Sequence, residues 1–95
     1  MPYRVFVDDN FHYMDESERY ELGEFATLDQ AVAACKRLVD AFLSATYTPG
    51  MSAAVLTAQY ASFGEDPFIV SGDGRVPFSA HAYANERIQK ICQVP

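Results

Sequence analysis

Apolar residues recur at steps of three and four through residues 28–43, and this is the clearest periodic pattern in the chain. Thr27 and Gln30 stand three residues apart at its start, as in a capping box, and Pro49-Gly50 predicts its end. The spacing predicts an amphipathic helix with one face in a core. That face consists of Leu28, Ala31, Val32, Cys35, Leu38, Val39, Phe42 and Leu43.

Two further helices are predicted beyond this one. Ser52 is a candidate cap for a helix that stops at Gly64. A strand through residues 54–58 is the alternative there, but abundant alanine and few β-branched residues favour the helix. The inner side of this second helix would carry Val55, Leu56, Tyr60 and Phe63. A last helix follows Ser79, and its inner stripe is Ala80, Ala84, Ile88 and Ile91.

Short runs of β-branched and aromatic residues predict the strands. In the second run, Tyr20, Leu22 and Phe25 are the candidates for burial, and Gly23 indicates a bulge. Pro77 lacks an N–H and keeps the last run at a sheet edge. The runs are residues 3–7, 20–25, 68–71 and 75–78.

The predicted fold is therefore α+β, in the order β-β-α-α-β-(β)-α. A small, mostly antiparallel sheet of three or four strands, with helices packed on one face, is the simplest way to bury these stripes. No linker or low-complexity stretch divides the chain. Residues 1–95 are thus expected to form a single globular α+β domain.

Charge is concentrated in the first third of this 95-residue chain, whose formal net charge is −6. Residues 8–29 hold eight acidic residues and one basic residue, Arg19, so this segment carries −7 and the remainder carries +1. Phosphate backbones and anionic lipid surfaces are recognised by lysine and arginine. The distribution therefore argues against nucleic acid and membrane as partners.

The sequence also predicts a location. The longest apolar stretch, residues 31–45, is interrupted by three charged residues, whereas a membrane helix needs about 20 apolar residues. The N-terminus lacks the basic and apolar regions of a secretory signal. These features predict a cytoplasmic protein in which Cys35 and Cys92 are buried free thiols.

The acidic hairpin formed by the first two strands and their connection is the candidate functional site. Carboxylates can hold a hard cation, but the spacing lacks the glycine and glutamate positions of an EF-hand loop. His12 has the chemistry of a general base, or of an exposed strand residue. The pattern assigns no catalytic residue, metal ligand or cofactor. The candidate binding residues are Asp8, Asp9, His12, Tyr13, Asp15, Glu16 and Glu18.

Two functions stay open at the level of sequence. The first is a small non-enzymatic interaction domain whose acidic hairpin docks a protein partner with a basic surface, or pairs with a second copy as a homodimer. Tyrosines among the carboxylates favour it, because tyrosine is enriched at interfaces. The alternative is a small-molecule or divalent-metal-dependent activity centred on the acidic hairpin and His12.

Three segments carry a resemblance to known proteins. They are residues 7–16 (VDDNFHYMDE), 35–40 (CKRLVD) and 63–69 (FGEDPFI). Together they resemble a group of small uncharacterised bacterial proteins of about this length that have no assigned function. The resemblance implies a bacterial cytosolic setting and transfers no catalytic or binding residue.

Overall fold

Four strands and three helices make up the residues that the computed structural model describes, which are 2–9, 19–72 and 74–92. Their order confirms the predicted one, and the segment whose pattern left helix and strand open is a helix. The elements are β1 (Tyr3–Asp9), β2 (Tyr20–Phe25), α1 (Leu28–Thr46), α2 (Ala53–Phe63), β3 (Glu65–Ser71), β4 (Gly74–Arg75) and α3 (Ala80–Cys92).

The predicted capping residues begin the helices. At α1 the Thr27 hydroxyl accepts from the Gln30 amide at 3.2 Å, and the Gln30 side chain accepts from the Thr27 amide at 3.3 Å. Ser52 and Ser79 accept from the amides three residues further on, at 3.2 and 3.1 Å. Each cap satisfies an amide that has no partner within its helix, which explains why the helices begin at these residues.

The sheet has the order β2-β1-β3-β4, and every neighbouring pair is antiparallel. The register between β1 and β2 shifts between Val5 and Phe6, which lie opposite Gly23 and Glu21. Leu22 is therefore the extra residue of a bulge, and this confirms the irregularity predicted at Gly23.

Helices cover one face of this sheet, as predicted. Residues opposite each other in an antiparallel ladder share a face. Val5 pairs with Ile69, and both pack with Ala31 and Cys35 of α1 in a fully buried cluster. The neighbouring pair of Phe6 with Phe68 therefore lies on the opposite face.

A second cluster joins the three helices. Its buried members are Val39, Leu43, Leu56, Tyr60, Ala80, Ala84 and Ile88. Helix α1 contributes to both clusters, because its 19 residues span about 28 Å at 1.5 Å per residue. The two clusters lie side by side along α1, which agrees with a long axis of 44 Å.

Some residues predicted on inner faces are exposed. In α2, Leu56 and Tyr60 are buried, but Val55 and Phe63 are 47% and 55% exposed. This short helix packs against α1 and α3 along a narrow stripe of Ala53, Leu56 and Tyr60, which are three and four residues apart. The prediction of a four-residue inner side was too wide.

The burial predicted for the second strand was wrong for Tyr20 and Leu22, whereas Phe25 packs against the cluster of Val5 and Ile69. Tyr20 and Leu22 are 43% and 37% exposed, and Phe25 is half-buried. The reason is position, because β2 is the outermost strand of the sheet and α1 covers it only in part.

Candidate functional site

The structure describes two of the seven candidate binding residues. The Asp8 carboxylate accepts hydrogen bonds from Arg19 Nε at 2.6 Å and Nη2 at 3.2 Å, so it is already engaged. Asp9 is the last residue of β1, and its backbone lies opposite Glu65. The other five lie outside the described residues: His12, Tyr13, Asp15, Glu16 and Glu18.

Within residues 2–9, 19–72 and 74–92, no three histidine, cysteine, aspartate or glutamate side chains come together to hold a metal ion. The arginine on Asp8 occupies the carboxylate that a cation would need. The described part of the hairpin therefore offers an ion pair in place of a ligand set.

Strand β2 gives the hairpin a free edge. Its six residues pair with β1 on one side, and no described strand pairs with the other. The opposite edge of the sheet differs, because β4 has two residues and Pro77 follows shortly after. Short strands and prolines are common devices that protect sheet edges. β2 is thus the longer of the two edges of the sheet.

Acidic side chains line one face of this edge. Glu21 accepts from Arg4 Nη2 at 2.8 Å and Nε at 3.3 Å, and these hydrogen bonds lower the pKa of Glu21, which is therefore charged at neutral pH. Glu24 is exposed and lies opposite Arg4 in the ladder, hence on the same face. Arg4 belongs to β1, one strand further in, so the outermost side chains of this face are both carboxylates.

An apolar groove borders the other face of the same edge. It has a volume of about 380 Å³ and runs between β2 and α1. The bulge turns Leu22 toward α1, where it joins Phe25. The lining residues are Leu22, Phe25, Ala34, Arg37, Leu38 and Ala41. The short side chains of Ala34 and Ala41 leave the space unfilled, which no apolar pattern in the sequence revealed.

Tyr20 fixes the start of the edge strand. Its hydroxyl donates to the Glu65 carboxylate at 2.7 Å, so a residue of β2 is tied to β3 across β1. Burial, followed by this hydrogen bond, raises the pKa of Tyr20, which keeps the phenol protonated at all ordinary pH values. The residue nevertheless stays 43% exposed.

Arginines cover the sheet face that points away from the helices. Phe6 and Phe68 stack with ring centroids 5.9 Å apart. Arg19 and Arg75 lie over the Phe68 ring at 5.0 and 4.0 Å, and Phe68 is only 7% exposed. Guanidinium groups over aromatic rings gain cation–π attraction and shield apolar surface. This layer covers the part of the face formed by β1 and β3, and Glu21 and Glu24 of β2 lie at its outer border.

An aspartate–histidine pair also came together without a sequence signal. His81 Nε2 lies 3.8 Å from Asp66 Oδ2, and the Tyr60 ring meets the His81 ring edge-on at 5.2 Å. The distance exceeds that of a hydrogen bond. Burial raises the pKa of Asp66, while His81 and Arg75 oppose this by attraction. The pair joins the start of β3 to α3, and Asp8 lies opposite Asp66 in the ladder.

Replacing this aspartate is expected to change how stability depends on pH. The pKa of Asp66 is raised in the folded protein, so the neutral carboxyl contributes to the stability of the folded state. This contribution is fully present below the ordinary aspartate pKa of about 4 and is lost as pH rises through the raised pKa of the folded state. The melting temperature of Asp66→Asn minus that of the wild type should therefore be larger at pH 7 than at pH 3. Thermal unfolding followed by circular dichroism measures both; a difference that is constant or reversed would contradict the assignment.

Both cysteines are free thiols, as predicted, but only Cys35 is buried. Burial raises the pKa of Cys35 to about 11, which makes this thiol a poor nucleophile at neutral pH. Cys92 is half-buried at the end of α3, so the prediction of two buried thiols was correct for one. The burial of Cys35 argues against a reaction at that thiol.

Comparisons with protein-family models, with curated proteins and with solved structures gave no match. The resemblance to a group of small bacterial proteins stays a prediction. Among the helices that the structure describes, none combines the length and apolar character that crossing a bilayer demands. The arguments for function therefore come from the geometry of this chain.

Proposed function

We propose that this protein is a non-enzymatic interaction domain whose acidic hairpin binds a protein partner with a basic surface. One observation carries the proposal: the free edge strand β2 has carboxylates on one face and exposed apolar side chains, beside a groove, on the other. Charged side chains and bulges are common at sheet edges because they prevent unwanted pairing with other strands. That role does not explain why Tyr20 and Leu22 are exposed to solvent.

Charge supports a basic partner. Residues 8–29 carry a formal charge of −7, and the outermost side chains on the carboxylate face of β2 are Glu21 and Glu24. Such a surface steers basic partners toward it and repels phosphate backbones and anionic lipids. We propose a cytoplasmic location for this protein, as its sequence predicts.

A second copy of the chain is a less favourable partner. Two β2 strands pairing antiparallel along their full length would bring Glu21 of each copy opposite Glu24 of the other. Like charges directly opposite each other destabilise a strand pair. A homodimer through this edge is therefore disfavoured by the very residues that favour a basic partner.

The metal- or small-molecule-dependent alternative lacks an observation in its favour. Of its residues, Asp8 is held by Arg19 in an ion pair. The edge strand, by contrast, combines exposed carboxylates with exposed apolar side chains beside a groove. The interaction domain is therefore the function that the geometry supports best.

Panning a random peptide library on the immobilised protein tests this function. Enriched peptides should be rich in lysine and arginine, and their affinity should fall as salt rises. Glu24→Lys should weaken binding roughly three- to tenfold, because attraction becomes repulsion at an exposed site. The matched control is Glu86→Lys on α3, which removes an exposed carboxylate far from β2 in the fold. Enrichment of peptides without basic residues, or equal effects of the two variants, would refute the proposal.

A further inference from the structure

We infer that the partner binds as an extended segment that adds a fifth strand to the free edge of β2, with alternate apolar side chains in the groove and basic side chains on the carboxylate face. This inference rests on the proposed function and specifies the chemistry of its partner. The predicted ligand is a peptide of about six residues in which valine- or leucine-like residues alternate with lysine or arginine.

The backbone of β2 supplies the first element of recognition. A strand at the edge of a sheet presents a row of N–H and C=O groups that can pair with another chain. Its six residues cover about 20 Å at 3.4 Å per residue, enough for a ladder with a segment of similar length. This part of the recognition is independent of the partner's side chains.

The groove supplies the second element. Side chains of an added strand alternate between the two faces, so every second one would lie beside Leu22 and Phe25 and reach toward α1. Ala41 is exposed and Ala34 contributes only a methyl group, which leaves room for apolar side chains. Arg37 lies at the same groove and disfavours a basic side chain there.

The carboxylate face supplies the third element. The remaining side chains of the added strand would lie next to Glu21 and Glu24, which are the nearest groups on that face. Opposite charges across neighbouring strands stabilise the pair. The two faces together therefore require a partner segment in which apolar and basic residues alternate.

The experiment uses three synthetic peptides and the full chain. The probe is Lys-Val-Lys-Val-Lys-Val-Lys-Val, and two derivatives are N-methylated at every lysine or at every valine. Alternate N–H groups of a strand point to opposite sides, so one derivative loses its bonds to β2 and the other does not. We expect one derivative to bind at least about tenfold more weakly than the probe and the other to bind within about threefold.

Filling the groove gives an independent measurement. Ala41→Phe should weaken binding of the probe about tenfold or more, whereas Ala58→Phe, at an exposed alanine of α2, should leave it unchanged. Both substitutions are on exposed helix positions, so thermal unfolding should show folded proteins of similar stability. Fluorescence anisotropy of labelled peptide reports each affinity.

The outcomes distinguish the binding of a basic partner from its binding by strand addition at β2. If the probe does not bind although panning enriches basic peptides, the strand addition alone fails. If the probe binds Glu24→Lys as well as the wild type, the proposed function and the strand addition both fail. If the probe binds with the expected dependence on Glu24 but both methylated peptides bind alike and Ala41→Phe has no effect, only the strand addition is overturned. Loss of binding with one methylated peptide and with Ala41→Phe supports both.

Discussion

Leu43→Ala is expected to lower the free energy of unfolding by about 2–5 kcal/mol, which is a large part of the stability of a domain of this size. Leu43 is fully buried in the cluster that joins the three helices, where it packs among Leu56, Tyr60 and Ile88. Truncation removes apolar contacts and leaves a cavity, because three helices that are fixed by their own caps cannot close around the space.

Urea denaturation followed by circular dichroism measures this loss. The matched control is Leu28→Ala, which deletes the same atoms from the same helix at a residue that is 37% exposed. Its loss should be less than half as large, because less apolar surface returns to water and the helix end can adjust. Equal losses from the two substitutions would mean that Leu43 does not occupy the centre of the core.

Local chemistry decided the features that sequence predicted well. The capping pair Thr27 and Gln30 and the stripe that follows specify α1 through contacts within a few residues. Gly23 likewise signalled a bulge through its own lack of a side chain. In each case the residues that carry the information are close together in the chain, so no knowledge of tertiary structure was needed.

The candidate site could be predicted only in part, because its character depends on strand order. The acidic segment was evident, but alternation in Tyr20, Leu22 and Phe25 gives the same pattern for a central strand and for an edge strand. The order β2-β1-β3-β4 decides the question, and it results from pairing between β1 and β3, which are about sixty residues apart. The groove likewise depends on where α1 crosses β2.

Long-range contacts explain the remaining surprises. His81 meets Asp66 through the packing of α3 on the start of β3, and no local pattern joins these two residues. The arginine layer had a partial signal, because Arg4 and Phe6 are two residues apart in a strand and share a face. The contribution of Arg75 came from β4, whose pairing is set by its turn.

Gly64 ends α2, as predicted, but for a reason other than the conformational freedom of glycine. The glycine ends α2 as expected, and its amide donates to the Tyr60 carbonyl at 2.9 Å. Its φ of −76° is open to any residue, however, so the left-handed conformation typical of helix-ending glycines is not the reason. The reason is space: an added Cβ would lie 2.7 Å from the Tyr60 carbonyl oxygen and 2.6 Å from the ring carbon Cδ1.

Gly64→Ala is therefore expected to lower the free energy of unfolding by about 1–3 kcal/mol, as overpacking does. Tyr60 cannot easily yield, because its ring is buried and its hydroxyl donates to the Glu65 carbonyl at 2.8 Å. Gly74→Ala is the control, since nothing lies within 4 Å of its added Cβ, and its stability should stay the same or rise by up to about 1 kcal/mol. Urea denaturation compares the two, and a loss at Gly74 that equals the loss at Gly64 would contradict the steric explanation. A loss confined to Gly64 would mean that the end of α2 and the start of β3 are fixed by close packing on Tyr60.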